Sequence, residues 1–358
     1  MISKLLFITQ KVDLEDDLLG FFNGWIKEFA KNFERVFVIT LAKGEYDLPG
    51  NVEIFSLGKE KGTVKLIQAL KFFKLLVRYT RRCDGVFAHM SPLFALSAWP
   101  FTKIFRKKLV FWYLHRSSSF KAQLAARLSD FVATASKESL RIRGRNIIEV
   151  GHGINSDLFK TERNLAPGKP TNIISVGRIS PIKGFETLIK AIKIVLETKI
   201  GVNLKIIGRP VMRGDEDYLL KLKKMTSDLN LDGSIQFKGF APYKIMPAVY
   251  READLSVNLA PKGGIDKVVL ESMASGLLVL TSNDAFKKYF GKYNSILLFE
   301  HGNSVDLAEK IKHLISLPPE EKQKISQFLV QSVKEHHSLQ ETIGRLSDLI
   351  KTAHVQFF

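Results

Sequence analysis

Seven short apolar runs mark the first 150 residues: LLFIT, RVFVITL, VEIFSL, DGVFAH, KLVFWYL, FVATAS and IIEVG. Most are apolar throughout rather than alternating, the pattern of strands in a parallel sheet covered on both faces. The segments between them, such as FNGWIKEFAKNF and TVKLIQALKFFKLLVRYT, have helical period, so the series reads as βαβ units. A Pro/Gly-containing connector, NLAPGKPT, follows around residues 165–170. The pattern then restarts with strands TNIISVG, VNLKIIG, SIQFKG, LSVNLA and LLVLTS, separated by helices FETLIKAIKIVLE, EDYLLKLKKMTSDL, YKIMPAVYREA and VVLESMAS. The expectation is an α/β protein of two doubly wound, Rossmann-like parallel-sheet domains, residues 1–165 and 166–339, facing a central cleft. The helix-rich end has no strand partner of its own, and its last helix, residues 340–358, is expected to complete the first domain. In such sheets ligands bind beyond the carboxyl ends of the strands, so residues directly after strands carry the information.

Composition agrees with two cores of ~150 residues each, since 45% of the 358 residues are hydrophobic. A single cysteine, Cys83, excludes an internal disulfide framework. Met1 leads directly into an apolar strand-like run without the regions of a signal peptide, so a reducing, cytoplasmic compartment is expected. The net charge of +18 is uneven: residues 1–160 hold 26 Lys and Arg against 15 Asp and Glu, and the remainder 28 against 21. Residues 61–129 contain 14 basic residues and one acid, Asp84, interleaved with aromatic residues, a surface that would attract an anionic partner. Within it, VKLIQALKFFKLLVRY carries Lys65, Lys71, Lys74 and Arg78 at helical spacing among apolar residues. That is the pattern of an interfacial helix on anionic lipid at the inner membrane face, and equally of a core-facing helix with solvated lysines. Residues 85–102 are uncharged, but Pro92, Pro100 and His89 interrupt them, which favours a buried strand, a turn and a short helix over a membrane span. No RNA- or DNA-binding signature accompanies the charge, and nucleic acid is not an expected partner.

Two segments carry candidate chemistry. After TNIISVG come Arg178 and, five residues on, Lys183, at a strand end facing a helix N-terminus. Two such cations with free amides can bracket a diphosphate; they can also be a solvated turn. In APKGGIDKVVLESMASG, Gly263 and Gly264 permit close backbone approach, Asp266 is placed to cap a helix and Gly276 to end it. Glu271 interrupts the apolar face of that helix, where a carboxylate could accept hydrogen bonds from ribose hydroxyls. Lys267 opposes the helix dipole, which points to a nearby anion.

Together VGRISPIKGFETLIKA, LKIIGRP, IQFKGF, YREADLSVNLAP, VVLESMASGLLVLTSN and the earlier VGHGINSDLF resemble glycosyltransferase family 4, the retaining enzymes with the GT-B fold. The resemblance covers nearly all of the second domain. It implies that Arg178 and Lys183 bind the donor pyrophosphate, that Glu271 binds the nucleotide ribose, and that Lys238, Gly239 and Phe240 lie against the base. Gly264, Ile265, Asp266, Lys267 and Val268 would line the donor. The family usually has a glutamate where Gly263 stands, and Asp266 is the nearest carboxylate to substitute for it. The first domain resembles the family less closely. There His115, at a strand end in FWYLH, matches a position that often holds a histidine near the transferred sugar, and Gly20 matches a glycine-rich loop near donor and acceptor. His89 and His152 also follow strands, with structural roles as the alternative.

The implied catalytic set is His115, Arg178, Lys183 and Asp266. No metal is expected: the D-x-D pair Asp215 and Asp217 precedes a helix, where acids serve the dipole. The nucleotide sugar enters as substrate rather than cofactor, and the acceptor is a glycan or lipid-linked hydroxyl. A non-catalytic nucleotide-sugar binder of the same fold is the alternative reading.

Overall fold

The computed structural model describes residues 3–16, 19–115, 118–160, 170–261 and 263–351. Two compact units emerge: Met1–Asn155 with Pro242–Lys244 and His337–Phe358, and Ser156–Ala241 with Ile245–His336. Most of the connector expected at residues 165–170 lies outside the described residues.

In the first unit, strands β1 (Lys4–Val12), β2 (Arg35–Lys43), β3 (Val52–Ser56), β4 (Gly85–His89), β5 (Lys108–Trp112), β6 (Phe131–Thr134) and β7 (Ile147–Glu149) form one parallel sheet. Its order is β3-β2-β1-β4-β5-β6-β7. Helices α1 (Phe22–Asn32), α2 (Lys65–Thr80), α3 (Pro92–Ile104) and α4 (Phe120–Leu128) connect these strands. The uncharged run at residues 85–102 is therefore a buried strand and most of an apolar helix, and no helix among the described residues is long and apolar enough to cross a membrane.

In the second unit, β8 (Thr171–Val176), β9 (Val202–Ile207), β10 (Ile235–Gly239), β11 (Leu255–Asn258) and β12 (Leu278–Thr281) form a parallel sheet ordered β10-β9-β8-β11-β12. Its helices are α5 (Ser156–Phe159), α6 (Phe185–Glu197), α7 (Asp215–Asp228), α8 (Met246–Arg251), α9 (Lys267–Ala274), α10 (Lys287–Phe290), α11 (Asn294–Leu297), α12 (Ser304–Ser316) and α13 (Pro319–His337). The helix expected over YKIMPAVYREA is split into a 3-10 turn at Tyr243–Ile245 and α8, with Pro247 at the start of α8, where a missing amide hydrogen costs least.

Strand order places the sites. The first sheet reverses direction of growth between β1 and β4, the second between β8 and β11. Loops diverge to opposite faces at these points and leave a crevice at the carboxyl ends.

The last helix, α14 (Leu339–Lys351), belongs to the first unit. Leu339, Ile343, Leu346 and Ile350 join Phe22, Trp25 and Phe29 of α1 over one face of the sheet, together with Leu5 and Phe7. Leu6 and Ile8 point to the other face, under α2, α3 and α4. Both faces of β1 are thus apolar, which is why its sequence does not alternate. Gly85 admits this packing, since a Cβ there would stand 2.6 Å from Ile350 Cγ2.

An imidazole is also buried in this core. His89, at the end of β4, is fully buried with its Nδ1 3.0 Å from Thr9 Oγ1 and its ring centroid 3.9 Å from that of Phe22. Burial lowers its pKa to about 3, so the imidazole is neutral.

Two outcomes follow. Ile343→Ala should destabilise the first unit by about 2–5 kcal/mol through lost burial and a residual cavity, read from its denaturant midpoint. For His89 the unfolded chain binds the proton first, near the ordinary imidazole value, so stability falls as pH drops below about 6.5 and keeps falling toward 3. Between pH 7 and 5 the loss should be about 2 kcal/mol larger in the wild type than in His89→Asn, which keeps a polar group beside Thr9. Equal losses in urea titrations at the two pH values would remove the assignment.

Candidate functional site

The second unit brings together three loops at the carboxyl ends of β8, β9 and β10. Gly177 donates to the Ile207 carbonyl at 2.9 Å, Ile179 to Arg209 at 3.1 Å, and Gly208 to Gly239 at 2.8 Å. Gly177 and Gly208 have φ of +156° and +149°, and a Cβ on Gly208 would stand 1.8 Å from the Gly177 carbonyl oxygen. Only glycine allows this crossing. Arg178 extends from it, exposed. Lys238 at the end of β10 is also exposed, Gly239 has φ of +73°, and the Phe240 ring lies 4.9 Å beneath the Arg209 guanidinium. Arg209 was not singled out from the sequence, although its place directly after an apolar strand, in IIGRP, was the available signal.

Lys183 turns back across the switch point between β8 and β11. Its Nζ donates to Asp266 Oδ2 at 2.8 Å, joining two sequence-predicted residues from opposite sides of the crevice. Asp266 occupies the position before α9 with extended backbone, as expected of a cap, but its side chain makes no capping hydrogen bond. Asn258 Nδ2 also donates to its Oδ2, at 3.0 Å. The capping expectation is thereby corrected: position holds, side-chain role does not, because a cation and an amide out-compete the helix amides. The Gly263–Gly264 stretch is held by Asn283, whose Oδ1 accepts from the Gly263 amide at 3.3 Å and whose Nδ2 donates to the Gly264 carbonyl at 2.9 Å. Asn258 and Asn283 close or follow strands, and their strand-end position was the only sequence signal. Ile265 is buried between these anchors.

Behind this loop, Lys267 and Glu271 lie one helical turn apart on α9, Glu271 buried and Lys267 partly so with its Nζ enclosed 3.7 Å from Glu271 Oε1. Burial pulls the Lys267 pKa down to about 7 and pushes Glu271 up. The Tyr250 hydroxyl donates to Glu271 Oε2 at 3.2 Å and approaches the Val268 carbonyl at 3.5 Å. The anion expected near Lys267 is therefore the chain's own Glu271.

The first unit has a cleft of about 720 Å³ at its own switch point, lined by Gln10 and Lys11 from β1 and His89 and Met90 after β4. His115 and His152 line the same cleft, bringing three sequence-predicted histidines to one place. Only His115 is exposed, with its ring 5.9 Å from that of Tyr113. His89 is structural, and the His152 amide donates to His337 Nδ1 at 3.1 Å, fixing the end of α13. Phe21, Phe22, Trp25 and Trp112 give the cleft an aromatic wall that sequence reading did not identify. Gly20 sits in a tight turn nearby, where a Cβ would come within 2.9 Å of the Leu14 and Asp16 carbonyl oxygens. Asp13 and Asp16 of the acidic loop are paired with Lys11 at 2.8 and 2.9 Å, and Asp17 lies outside the described residues.

Asp215, at the start of α7, accepts from the amides of Met212 at 2.9 Å and Val211 at 3.3 Å. Its carboxylate thus closes the turn before the helix.

Residues 157–328 match the family model described as Glycosyl transferases group 1. The chain is 24% identical over 263 residues to human GDP-Man:Man(3)GlcNAc(2)-PP-Dol alpha-1,2-mannosyltransferase, covering 68% of this chain and 52% of that one. It is 31% identical over 128 residues to D-inositol 3-phosphate glycosyltransferase of Nocardia farcinica, covering 35% and 28%. The chain spans about half the length, or less, of the curated relatives it matches. Among solved structures it is similar to Anabaena HepE in complex with UDP and glucose, with a TM-score of 0.76 and 18% identity over 98% of this chain and 100% of that one. It is also similar to sucrose-phosphate synthase of Thermosynechococcus elongatus, with a TM-score of 0.77 and 16% identity over 97% and 98%. These likenesses identify the fold as GT-B. Over residues 157–328, nearly half of its length, the chain is thus similar to the glycosyl transferases group 1 family.

Proposed function

We propose that this protein is a retaining, metal-independent glycosyltransferase that moves a hexose from a nucleoside diphosphate sugar to an acceptor hydroxyl on a lipid-linked or otherwise membrane-proximal glycan. The observation that carries the reading is the Lys183–Asp266 pair at 2.8 Å across the β8/β11 switch point, with Arg178 exposed beside it. In this reading Arg178 and Lys183 hold the donor diphosphate, in place of a divalent cation. Asp266 stands beside the donor sugar where Gly263 lacks a side chain, and Glu271 takes the ribose. An ionised carboxylate accepts about four hydrogen bonds, so Tyr250 and Lys267 leave it capacity for a hydroxyl. Lys238, Gly239 and Phe240 lie against the base, with Gly264, Ile265, Lys267 and Val268 lining the donor. In the first unit, Gly20 shapes the loop at the cleft and His115 positions the transferred sugar or balances its charge.

The chemistry follows from charge. As the bond from anomeric carbon to phosphate oxygen breaks, negative charge grows on the leaving diphosphate, and fixed cations and amides stabilise it without rearranging. The acceptor oxygen bonds to the same face of the anomeric carbon, and its proton passes to the departing phosphate oxygen. Support for a nucleotide-sugar donor comes from HepE, which has been solved with UDP-glucose. Support for a lipid-borne acceptor comes from a Mycobacterium tuberculosis relative named GDP-mannose-dependent alpha-(1-6)-phosphatidylinositol monomannoside mannosyltransferase, 24% identical over 179 residues.

The surface of α2 supports a peripheral position on the inner membrane face. Leu66, Leu70, Phe73 and Val77 are 70, 64, 46 and 42% exposed and recur at spacings of four, three and four. At about 100° per residue they form a stripe turned by about 120° from the buried stripe of Phe72, Leu76 and Tyr79. Lys74, Arg78 and Arg81 flank it, so the helix offers anionic lipid an apolar face edged with cations.

Donor chemistry is tested by nucleotide binding and turnover together. Lys183→Ala should lose nucleoside diphosphate affinity and about 10²–10³ in kcat. Asp266→Asn should bind the diphosphate at least as tightly as wild type, because a carboxylate competing for Lys183 is gone, while turnover falls. Binding without turnover in the wild type, across broad donor and acceptor panels, would favour a nucleotide-sugar binder. In flotation assays the protein should prefer anionic over neutral vesicles, and Leu70→Ser with Phe73→Ser should abolish the preference; no preference in the wild type removes the membrane reading.

A further inference from the structure

A second depression, of about 750 Å³, lies in the first unit at the amino-terminal edge of its sheet, the end opposite the histidine-lined cleft. Arg127, from the last turn of α4, and Arg141, Arg143 and Arg145, from the loop leading into β7, line it together with Gln123 and Asn146. No carboxylate is in the lining, and among the described residues none of the four guanidiniums has an ion-pair partner. Asp130, close by in sequence, is already engaged by Lys103 at 3.0 Å and the Leu109 amide at 2.8 Å.

The scaffold beneath the cations is fixed. Ile142 is buried in the core between its two arginine neighbours, so extended alternation turns Arg141 and Arg143 away from the core. Asn146 Nδ2 donates to the Ala126 carbonyl at 2.9 Å and the Ser129 carbonyl at 3.0 Å, tying the loop to the end of α4 that carries Arg127. Gly144 makes room for this clamp, since a Cβ there would stand 2.8 Å from Asn146 Oδ1. Core and clamp therefore hold four like charges around one hollow, an arrangement that repels itself until an anion enters.

We infer that this arginine-lined depression is an anion site separate from the donor site, and that it takes a ligand carrying two closely spaced phosphoryl groups. Guanidinium forks match phosphate oxygens two at a time, and four unmatched positive charges suit a diphosphate better than a single carboxylate. The diphosphate could be free or borne on a lipid. The inference stands apart from the glycosyltransferase reading, since it uses none of the residues assigned to donor or sugar.

The test uses full-length protein carrying Arg178→Ala and Lys183→Ala, which silences the proposed donor site, titrated calorimetrically with inorganic pyrophosphate. One saturable site should remain, weakening with added salt. Adding Arg141→Gln and Arg143→Gln should reduce its affinity at least about tenfold, and Arg141→Lys with Arg143→Lys should fall between, keeping charge but losing the fork. These side chains are exposed, so the melting temperature should hardly move. Vesicles containing diacylglycerol pyrophosphate distinguish the source: capture reversed by pyrophosphate and lost with the Gln pair assigns a lipid-borne diphosphate, and pyrophosphate binding without capture assigns a soluble one. Absence of saturable pyrophosphate binding, or equal affinity with and without the Gln pair, overturns the site.

Discussion

Coverage of both faces of each parallel sheet is the constraint from which the other features follow. Strands such as β1 and β4 are apolar on both sides because helices lie on both sides, and a polar group placed there must find its partner within the core. Thr9 and His89 do so with each other. Arg178, Asp266 and His115 instead stand in loops beyond the ends of the strands. Among those ends, the switch points are where neighbouring loops part and leave room. The first-unit cleft lies at β1/β4 and the Lys183–Asp266 pair spans β8/β11, so the two units obey the same geometric rule.

Electrostatics at the second switch point is arranged in two layers. The inner layer is Lys267 and Glu271, whose charged ends are enclosed and face each other at 3.7 Å. It supports α9. The outer layer is partly exposed: Asp266 is shared between Lys183 and Asn258, and Arg178 extends beyond them. In the proposed reading, an arriving dianion would meet Arg178 first and then compete with Asp266 for Lys183. A partly exposed ion pair is a weak enough interaction to be exchanged in this way, whereas the buried pair behind it is not.

The fold was legible because its signals are local. Short, mostly apolar runs marked all twelve strands, and the restart after residue 170 marked a second sheet. Positions after strands pointed to Arg178, Lys183, His89 and His115 for the same reason. Side-chain roles were less legible because they depend on partners distant in sequence. Asp266 looked like a cap until Lys183, 83 residues away, was placed against it. Lys267 suggested an external anion because helical spacing reveals that Glu271 is one turn away but not that the two charged ends are enclosed together. Arg209, Asn258 and Asn283 stood at strand ends in plain sight, yet the sequence holds nothing that ranks one strand-end polar residue above another. The arginines at 141–145 lay beyond the basic window that drew attention, and only Ile142 and Asn146, acting through the core and the end of α4, turn that run into a hollow.

The uneven charge then acquires a structural meaning. In the second unit several cations meet the chain's own acids: Lys183 with Asp266, Lys205 with Glu252, Lys221 with Glu186, Lys224 with Asp228 and Lys267 with Glu271. In the first unit the cations of α2 and of residues 141–145 include many with no such partner among the described residues: Lys74, Arg81, Arg141, Arg143 and Arg145 form no ion pair there. Charges paired within the chain organise it, and those near the surface without a partner raise its energy until something external neutralises them. Their reach is short, since exposed charges are screened beyond about 8 Å at physiological ionic strength. An anion must therefore arrive at the surface itself to be held. A helix that presents an apolar stripe and a hollow that presents four guanidinium forks are two different ways of holding one once it has arrived.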